Sequence, residues 1–252
     1  MSDFVKRKLK FIGCEIIYRE ACLLAARSPH VVDLQFLRKG LHGLETPDML
    51  ATIQSAVDAV RDGYDAVILG YARCNDGTVG LVARDAPLVI PRAHDCITFY
   101  FGGRDAHQAY FDVHPGTYYR TTGWLERDMA EGVEQDGVMT QLGLNRSYAE
   151  LLEKYGKDNA DYIAEIMGAW VAHYDNLCYL EMGVCDERPF VAAAREEAEQ
   201  RGWGFDLRKG DWTLLERLFF GQWDEDFVIV RPGRRLVADN DGGILETAEG
   251  GA

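Results

Sequence analysis

The run Tyr64-Asp65-Ala66-Val67-Ile68-Leu69-Gly70 is almost continuously apolar, with Asp65 its only charge. A strand wet on one face would alternate polar and apolar residues. One that does not alternate must be covered on both faces, as in a parallel sheet packed between layers of helices. The flanking segments agree. Leu9–Gly13 and Val31–Leu37 read as strands, and Glu15–Ala26 between them as a helix. Pro47–Arg61 reads as a second helix, with Thr46 at its N-cap and Pro47 in its first position. After the turn Asn75-Asp76-Gly77 come a short helix, Val79–Ala83, and a fourth strand, Leu88–Ile90, stopped by Pro91. Alternation of this kind predicts strands joined by helical crossovers.

Beyond residue 100 the pattern changes. Arg104–Val113 reads as a helix, Gly116–Trp124 as a polar-aromatic loop, and residues 128–173 as mainly helical. Strand character returns in Leu177–Met182, Gly204–Leu207 and Phe227–Val230, with helices over Pro189–Arg201 and Trp212–Phe220. The acidic, Gly-rich stretch from Asp239 reads as a fraying tail. The expected fold is α/β, a single compact two-lobed unit. A parallel-sheet, Rossmann-like lobe spans about 1–105 and a mainly helical segment 106–175. A smaller α/β lobe spans 176–236, and 237–252 form a flexible tail.

Composition narrows the function classes. A net charge of −14 argues against nucleic acid or an anionic membrane as partner, because phosphate binding needs clustered Lys and Arg. The basic opening Lys6-Arg7-Lys8-Leu9-Lys10 reads as a solvated strand end. No secretory signal and no apolar run of bilayer-spanning length is visible. Six cysteines without a signal predict reduced thiols and a cytoplasmic location. Gly77-Thr78-Val79-Gly80 lacks both the lysine and the spacing of a nucleotide-binding loop, and no GxSxG elbow is present.

The chemistry-bearing residues follow the strands. Cys14, His42, Cys74, His94 and Cys96 each sit just past an apolar run, where loops at the carboxyl ends of parallel strands share one crevice. His94-Asp95-Cys96 offers an imidazole and a thiolate two residues apart. With Cys74 as third ligand and Cys14 or His42 as fourth, these residues suit tetrahedral zinc, with iron as the other candidate. Asp95 is expected to orient the imidazole from behind. Arg73 and Arg92 suit a carboxylate or phosphate, or pair within the fold with Glu15 or Asp95. Tyr118, Tyr119, Arg120 and Trp124 are candidates for a lid over a small polar substrate. Cys22, Cys178 and Cys185 read as packing residues, and His107, His114 and His173 as surface or capping residues.

Several of these segments carry a family resemblance: Gly13-Cys14-Glu15-Ile16, Gly40-Leu41-His42, Tyr64 to Tyr71, Cys74-Asn75-Asp76-Gly77 and Ile90-Pro91-Arg92-Ala93-His94-Asp95-Cys96-Ile97. Pro115 to Tyr119, Gly123-Trp124 and Gly221-Gln222-Trp223-Asp224 fit as well. Over about Lys10–Val230 the chain resembles a bacterial and archaeal domain-of-unknown-function family, number 1638. Ala72-Arg73 departs from the Gly-Leu type pair expected there, which points Arg73 toward this member's own substrate. The resemblance implies a place beside corrinoid proteins and methylamine-type or betaine-type methyltransferases, with cobalamin entering only through a partner. The H-x-C pair plus a distant Cys is also chemically similar to zinc methyltransferases that ionise a thiol, although the rest of that motif is not matched.

The leading expectation is therefore a zinc protein of methyl metabolism, a metal-dependent methyltransferase or lyase. Cys74, His94, Cys96 and His42 would serve the metal, Cys14, Asp95 and Arg92 the chemistry, and Arg73, Tyr118, Tyr119 and Trp124 the substrate. Two alternatives stand beside it. One is a metal-free racemase, isomerase or lyase using a cysteine pair. The other is a non-catalytic adaptor for a corrinoid protein, built around structural zinc.

Overall fold

Four strands near the start of the chain form the sheet that the apolar runs predict: β1 (Lys8–Cys14), β2 (Val31–Leu37), β3 (Ala66–Gly70) and β4 (Leu88–Pro91). The computed structural model describes residues 5–43, 46–74, 76–130, 157, 174–239, 241–242 and 244–250. The chain divides into two compact units. Met1–Gln108 with Gly210–Ala252 makes the first, and Ala109–Lys209 the second.

In the first unit β1 pairs in parallel with β2 on one side and β3 on the other, and β3 pairs in parallel with β4. Every residue of β3 is buried, which explains its unbroken apolar run. A 3-10 turn (Glu15–Ile17) leads into α1 (Tyr18–Arg27), which buries Ala21 and Leu24. After β2 come a second 3-10 turn (Lys39–Gly43) and α2 (Thr46–Asp58), which buries Met49, Ile53, Ala56 and Val57. Each such Leu, Ile or Val removed from water contributes about 1.5–3 kcal/mol. Phe11 anchors one face of the sheet, its ring 5.7 Å from that of Phe36 and 5.0 Å from that of Phe219. Gly13 and Gly70 face each other across β1 and β3 to make room for it. A Cβ at either would lie 2.3 or 2.4 Å from the tip of the Phe11 ring.

The short α3 (Ile97–Tyr100) and α4 (Arg104–Val113) lead into the second unit. There β5 (Thr117–Thr121), β6 (Asn176–Glu181) and β7 (Gly204–Lys209) form a three-stranded, all-parallel sheet with β6 central. Helices α5 (Thr122–Ala130) and α6 (Arg188–Arg201) accompany it. Leu125, Leu177, Tyr179, Ala194 and Ala198 form its core. Pro189 opens α6, and Gly202 closes it at φ 70°, in the left-handed conformation that glycine adopts without strain.

Returning to the first unit, the chain forms α7 (Thr213–Phe219), then β8 (Phe227–Val230), which joins the first sheet antiparallel to β4. The first sheet thus runs β2-β1-β3-β4-β8. Two further strands, β9 (Arg234–Asp239) and β10 (Ile244–Glu249), close as an antiparallel hairpin. Among the described residues no helix is long and apolar enough to cross a membrane.

Several expectations change. Residues 237–252 contain strand rather than a frayed tail, because Leu236, Ile244 and Leu245 are buried. The segment Val79–Ala83 is not a helix. Its backbone pairs with β9 through Gly80 N to Leu236 O at 2.8 Å and Ala83 N to Arg234 O at 3.0 Å. Gly116–Trp124 is not a loop but holds β5 and the start of α5. Phe227–Val230 was expected in a C-terminal lobe over 176–236, yet it completes the first sheet. Most of the helical expectation for 128–173, including His173, lies outside the described residues.

Candidate functional site

The first sheet has a switch point. From β1 the chain passes to β2 on one side and then to β3 on the other, so the connections diverge at the carboxyl ends of β1 and β3, the place where open α/β sheets commonly bind ligands. Cys14 is the last residue of β1 and projects to the face opposite Phe11, since side chains alternate along a strand. The register pairs Gly13 with Gly70, which brings Tyr71 level with Cys14.

The loop after β3 is stitched to the loop after β4. Arg73 N donates to Ala93 O and Cys74 N to His94 O, each at 2.9 Å. Buried Thr78 donates its hydroxyl back to Ala72 O at 2.9 Å, and Gly77 N closes on Cys74 O at 3.0 Å. Within this brace Cys74 adopts φ 49°, in the left-handed region rarely used by residues other than Gly, Asn and Asp. Such a conformation costs on the order of 1–3 kcal/mol and persists only where the surroundings enforce it. Cys96 lies at the start of α3, whose first amides are capped by Asp95: Oδ1 accepts from Ile97 N at 3.0 Å and Thr98 N at 3.3 Å.

Three thiols therefore gather at the ends of neighbouring strands. Cys14, Cys74 and Cys96 are 2%, 6% and 8% exposed, and none of the six cysteines is in a disulfide. Burial pushes the Cys74 thiol up to about 12, partly opposed by a backbone hydrogen bond at Ala72, while charge on Cys14 and Asp95 pushes the same way as burial. Cys96 is driven well above the ordinary thiol range by burial first, then by Asp95, Cys74 and Cys14. The three thus feel one another. Without a cation, a thiol at about 12 is ionised at neutral pH in roughly one molecule in 10⁵.

The other expected residues are distributed as follows. His94 and Asp95 are exposed. The His42 backbone lies on the Lys39–Gly43 turn, and its side chain is outside the described residues. Arg73 pairs with Asp76 (Nε to Oδ1, 2.5 Å), and the Arg92 guanidinium donates to Leu245 O, tying β10 to the end of β4. Neither takes the partner expected within the fold, Glu15 or Asp95, in these bonds. His107 stacks on Phe101 at 4.9 Å with Nδ1 3.0 Å from the Thr98 hydroxyl, and burial lowers its pKa. Tyr118, Tyr119, Arg120 and Trp124 all belong to the second unit. There Tyr118 packs edge-on to Tyr174, under the guanidinium of Arg120 at 4.8 Å. Cys178 is buried in β6, while Cys22 and Cys185 are half-buried. Among the described residues no three His, Cys, Asp or Glu side chains stand as a ready-made metal cage.

Two neighbours escaped the sequence reading. Tyr71 is 1% exposed, and its hydroxyl makes no hydrogen bond among the described residues. After burial, the chief influences on it are Cys14, Cys74 and Glu15. Lys39 is 2% exposed just past β2, its backbone N–H donating to Glu15 Oε1 at 2.9 Å. A tyrosine beside an apolar strand reads as core, and a lone lysine as solvated, so the sequence carried no signal for either. A separate cavity of about 220 Å³, lined by Val57, Arg61, Tyr64, Val67 and Arg84, lies before β3 and β4, at the other end of the strands.

A family model described as "Protein of unknown function (DUF1638)" matches residues 36–219. That span includes His42, Cys74, His94 and Cys96 but leaves Cys14 outside, and is narrower than the resemblance over 10–230. No curated protein and no solved structure matches the chain.

Proposed function

Because the chain belongs to the DUF1638 family, whose function is unknown, we propose a metal-binding role in methyl metabolism, with Cys14, Cys74 and Cys96 as ligands. One observation carries this: three buried thiols at the end of β1 and in the loops after β3 and β4, two loops that backbone hydrogen bonds tie together. Soft thiolates select zinc or iron among the common metals. Binding would draw the three sulfurs together with loss of their protons, since metal affinity and thiol ionisation are linked. His94, exposed beside Cys96, offers an imidazole as a further donor on these loops. A bound metal would lower the pKa of a substrate thiol or water in its open position. The protein's own residues provide the rest. The left-handed Cys74 turn fixes one sulfur in place, Asp95 fixes the start of α3 beneath Cys96, and Arg73, held by Asp76, offers a cation at the rim.

The first unit acts in this proposal as a Rossmann-like ligand-binding lobe, with its ligand at the β1/β3 switch point. The family resemblance supplies the setting: a small substrate that gives or receives a methyl group, with a corrinoid protein as partner and cobalamin carried there. A reducing cytoplasm suits three thiols outside any disulfide. The metal-free cysteine-pair reading fits less well, because such catalysis needs a ready thiolate and burial opposes one.

The test is elemental analysis of anaerobically purified protein, wild type beside Cys96→Ser. About one zinc or iron per chain, lost in the variant, is the expected result for a single site of this ligand type. Metal absent from both, with activity blocked by alkylation and indifferent to chelators, would replace this reading with the cysteine-pair enzyme. A metal with no exchangeable ligand would favour the adaptor.

A further inference from the structure

The outer edge of β2 carries none of the features that keep a sheet edge from pairing with another chain. Protected edges are short, bulged, or marked by lysine or proline. β2 runs for seven residues in unbroken register with β1, and neither residue type occurs in it. By contrast β7, an edge strand of the second unit, carries Asp206, Arg208 and Lys209. The single charge of β2, Asp33, is engaged within its own unit. It accepts from the Tyr64 hydroxyl at 2.6 Å and lies 3.8 Å from Lys8 Nζ. The apolar side chains of β2 are only partly covered, whereas every residue of β3 is buried. Val31 is 42% exposed, and Tyr18, whose ring lies 4.9 Å from that of Phe36, is 43% exposed.

Val31 N donates to Arg7 O at 2.9 Å, so the Val31 backbone faces β1. Backbone direction alternates along a strand, which turns the N–H and C=O groups of Val32, Leu34 and Phe36 outward. There they meet no partner among the described residues. We propose that β2 pairs antiparallel with β2 of a second copy of this chain about a two-fold axis at Leu34, joining two sheets into one. In this register Leu34 meets its own copy and Val32 meets Phe36 of the second copy, each pair exchanging backbone hydrogen bonds. Their side chains share the Phe11 face, because β1 sets Phe11 beside Leu34 and Gly13 beside Phe36, so apolar meets apolar across the axis. On the opposite face Asp33 meets Gln35, an acid beside an amide, and no like charges oppose one another. A two-fold interface must be complementary to itself, and the sequence of β2 satisfies that condition at the one register centred on an outward-facing residue in mid-strand. The pairing stands whether or not the thiols hold a metal.

The experiment is sedimentation equilibrium of the full-length chain at micromolar concentration, with wild type, Leu34→Lys, Leu34→Glu and an equimolar mixture of the two variants. Wild type should sediment as a dimer. Each variant alone brings like charges together at the axis and should weaken self-association by roughly a hundredfold or more, whereas the mixture should recover dimers. Leu34→Cys adds a measurement that a folding defect in the charged variants leaves intact. Facing Cα atoms of a hydrogen-bonded antiparallel pair stand about 5.5 Å apart, within disulfide reach. Mild oxidation should therefore link Leu34→Cys chains in pairs, reversibly by thiol, where wild type stays unlinked. A monomeric wild type would overturn the proposal and leave the edge to some other strand. Folded Lys and Glu variants that remain dimeric would place the interface elsewhere, and a mixture that stays monomeric would rule out the axis at Leu34. Leu34→Cys chains that link no more than wild type would overturn it as well.

Discussion

Replacing Gly70 by alanine tests whether the Phe11 trough sets the geometry of the strand ends. The new Cβ would sit 2.4 Å from Phe11 Cζ and 2.8 Å from Ile17 Cδ1. Ordinary carbon contacts are about 3.5–4.0 Å, so the ring must retreat by about 1 Å. It has nowhere to go, with Phe36 and Phe219 against it and no exposed surface. Overpacking of this kind costs about 1–3 kcal/mol, and the rigidity of the site puts Gly70→Ala near the upper end. Alanine recovers about 0.4–1 kcal/mol by restricting the unfolded chain, which leaves a net loss of about 2 kcal/mol. For a chain of this length that lowers the melting temperature by about 4–8 °C. Thermal and urea unfolding of the metal-free protein give the measurement. Phe11→Leu in the same background should restore part of the loss, a coupling that a double-mutant cycle isolates. A change in Gly70→Ala below about 0.5 kcal/mol, or no coupling to Phe11, would refute the packing argument.

Two further outcomes are expected. Neutral His30 accepts from Arg7 N at Nδ1 (3.2 Å) and donates from Nε2 to Phe220 O (3.1 Å), and burial is the main cause of its lowered pKa. Its contribution is therefore complete above the unfolded value of 6.5 and is lost as pH falls below it. Urea midpoints at pH 8 and pH 5 should differ more in wild type than in His30→Gln, and equal differences would contradict this assignment. In the second unit, Glu197 accepts two bonds from Arg120 (2.8 and 2.9 Å) and one from Arg201 (3.1 Å). Burial alone would raise its pKa, yet the two guanidinium groups hold it below the ordinary value. Glu197→Gln should cost about 2–3 kcal/mol by leaving Arg120 uncompensated, with residual water access keeping the loss below that of a fully buried pair. The wild-type advantage should fade as pH falls through the carboxylate range.

Local signals in the sequence carried the strands and part of the site. Val31–Leu37 and Phe227–Val230 are read residue for residue, because each is an apolar run between clear stops. The gathering of Cys14, Cys74 and Cys96 follows from the rule that parallel strand ends converge. What β8 pairs with was invisible, since its neighbour β4 lies far away in sequence and apolar character names no partner. The hairpin was hidden by its glycines and acids, which outweigh the few buried residues that pin it down. The tie from Arg92 to Leu245 O was equally invisible, because nothing local reveals that β10 returns to the end of β4. The positive φ of Cys74 belongs to the brace of Thr78 and His94, a tertiary cause without a residue-type signature.

The interleaving of the two units has a further effect at the ribosome. Val230 lies 139 residues after Pro91. At about 5–20 residues per second, the open side of β4 waits roughly 7–28 s for the strand that covers it. During that interval the nascent chain presents Leu88, Val89 and Ile90 on an unpaired edge, the kind of surface that recruits other chains. Closure comes only when the returning chain arrives and Asp211 N finds Tyr100 O at 2.8 Å. The most hazardous moments for this protein thus precede its release, and chaperone supply during translation bears on its yield as directly as the stability of the finished fold.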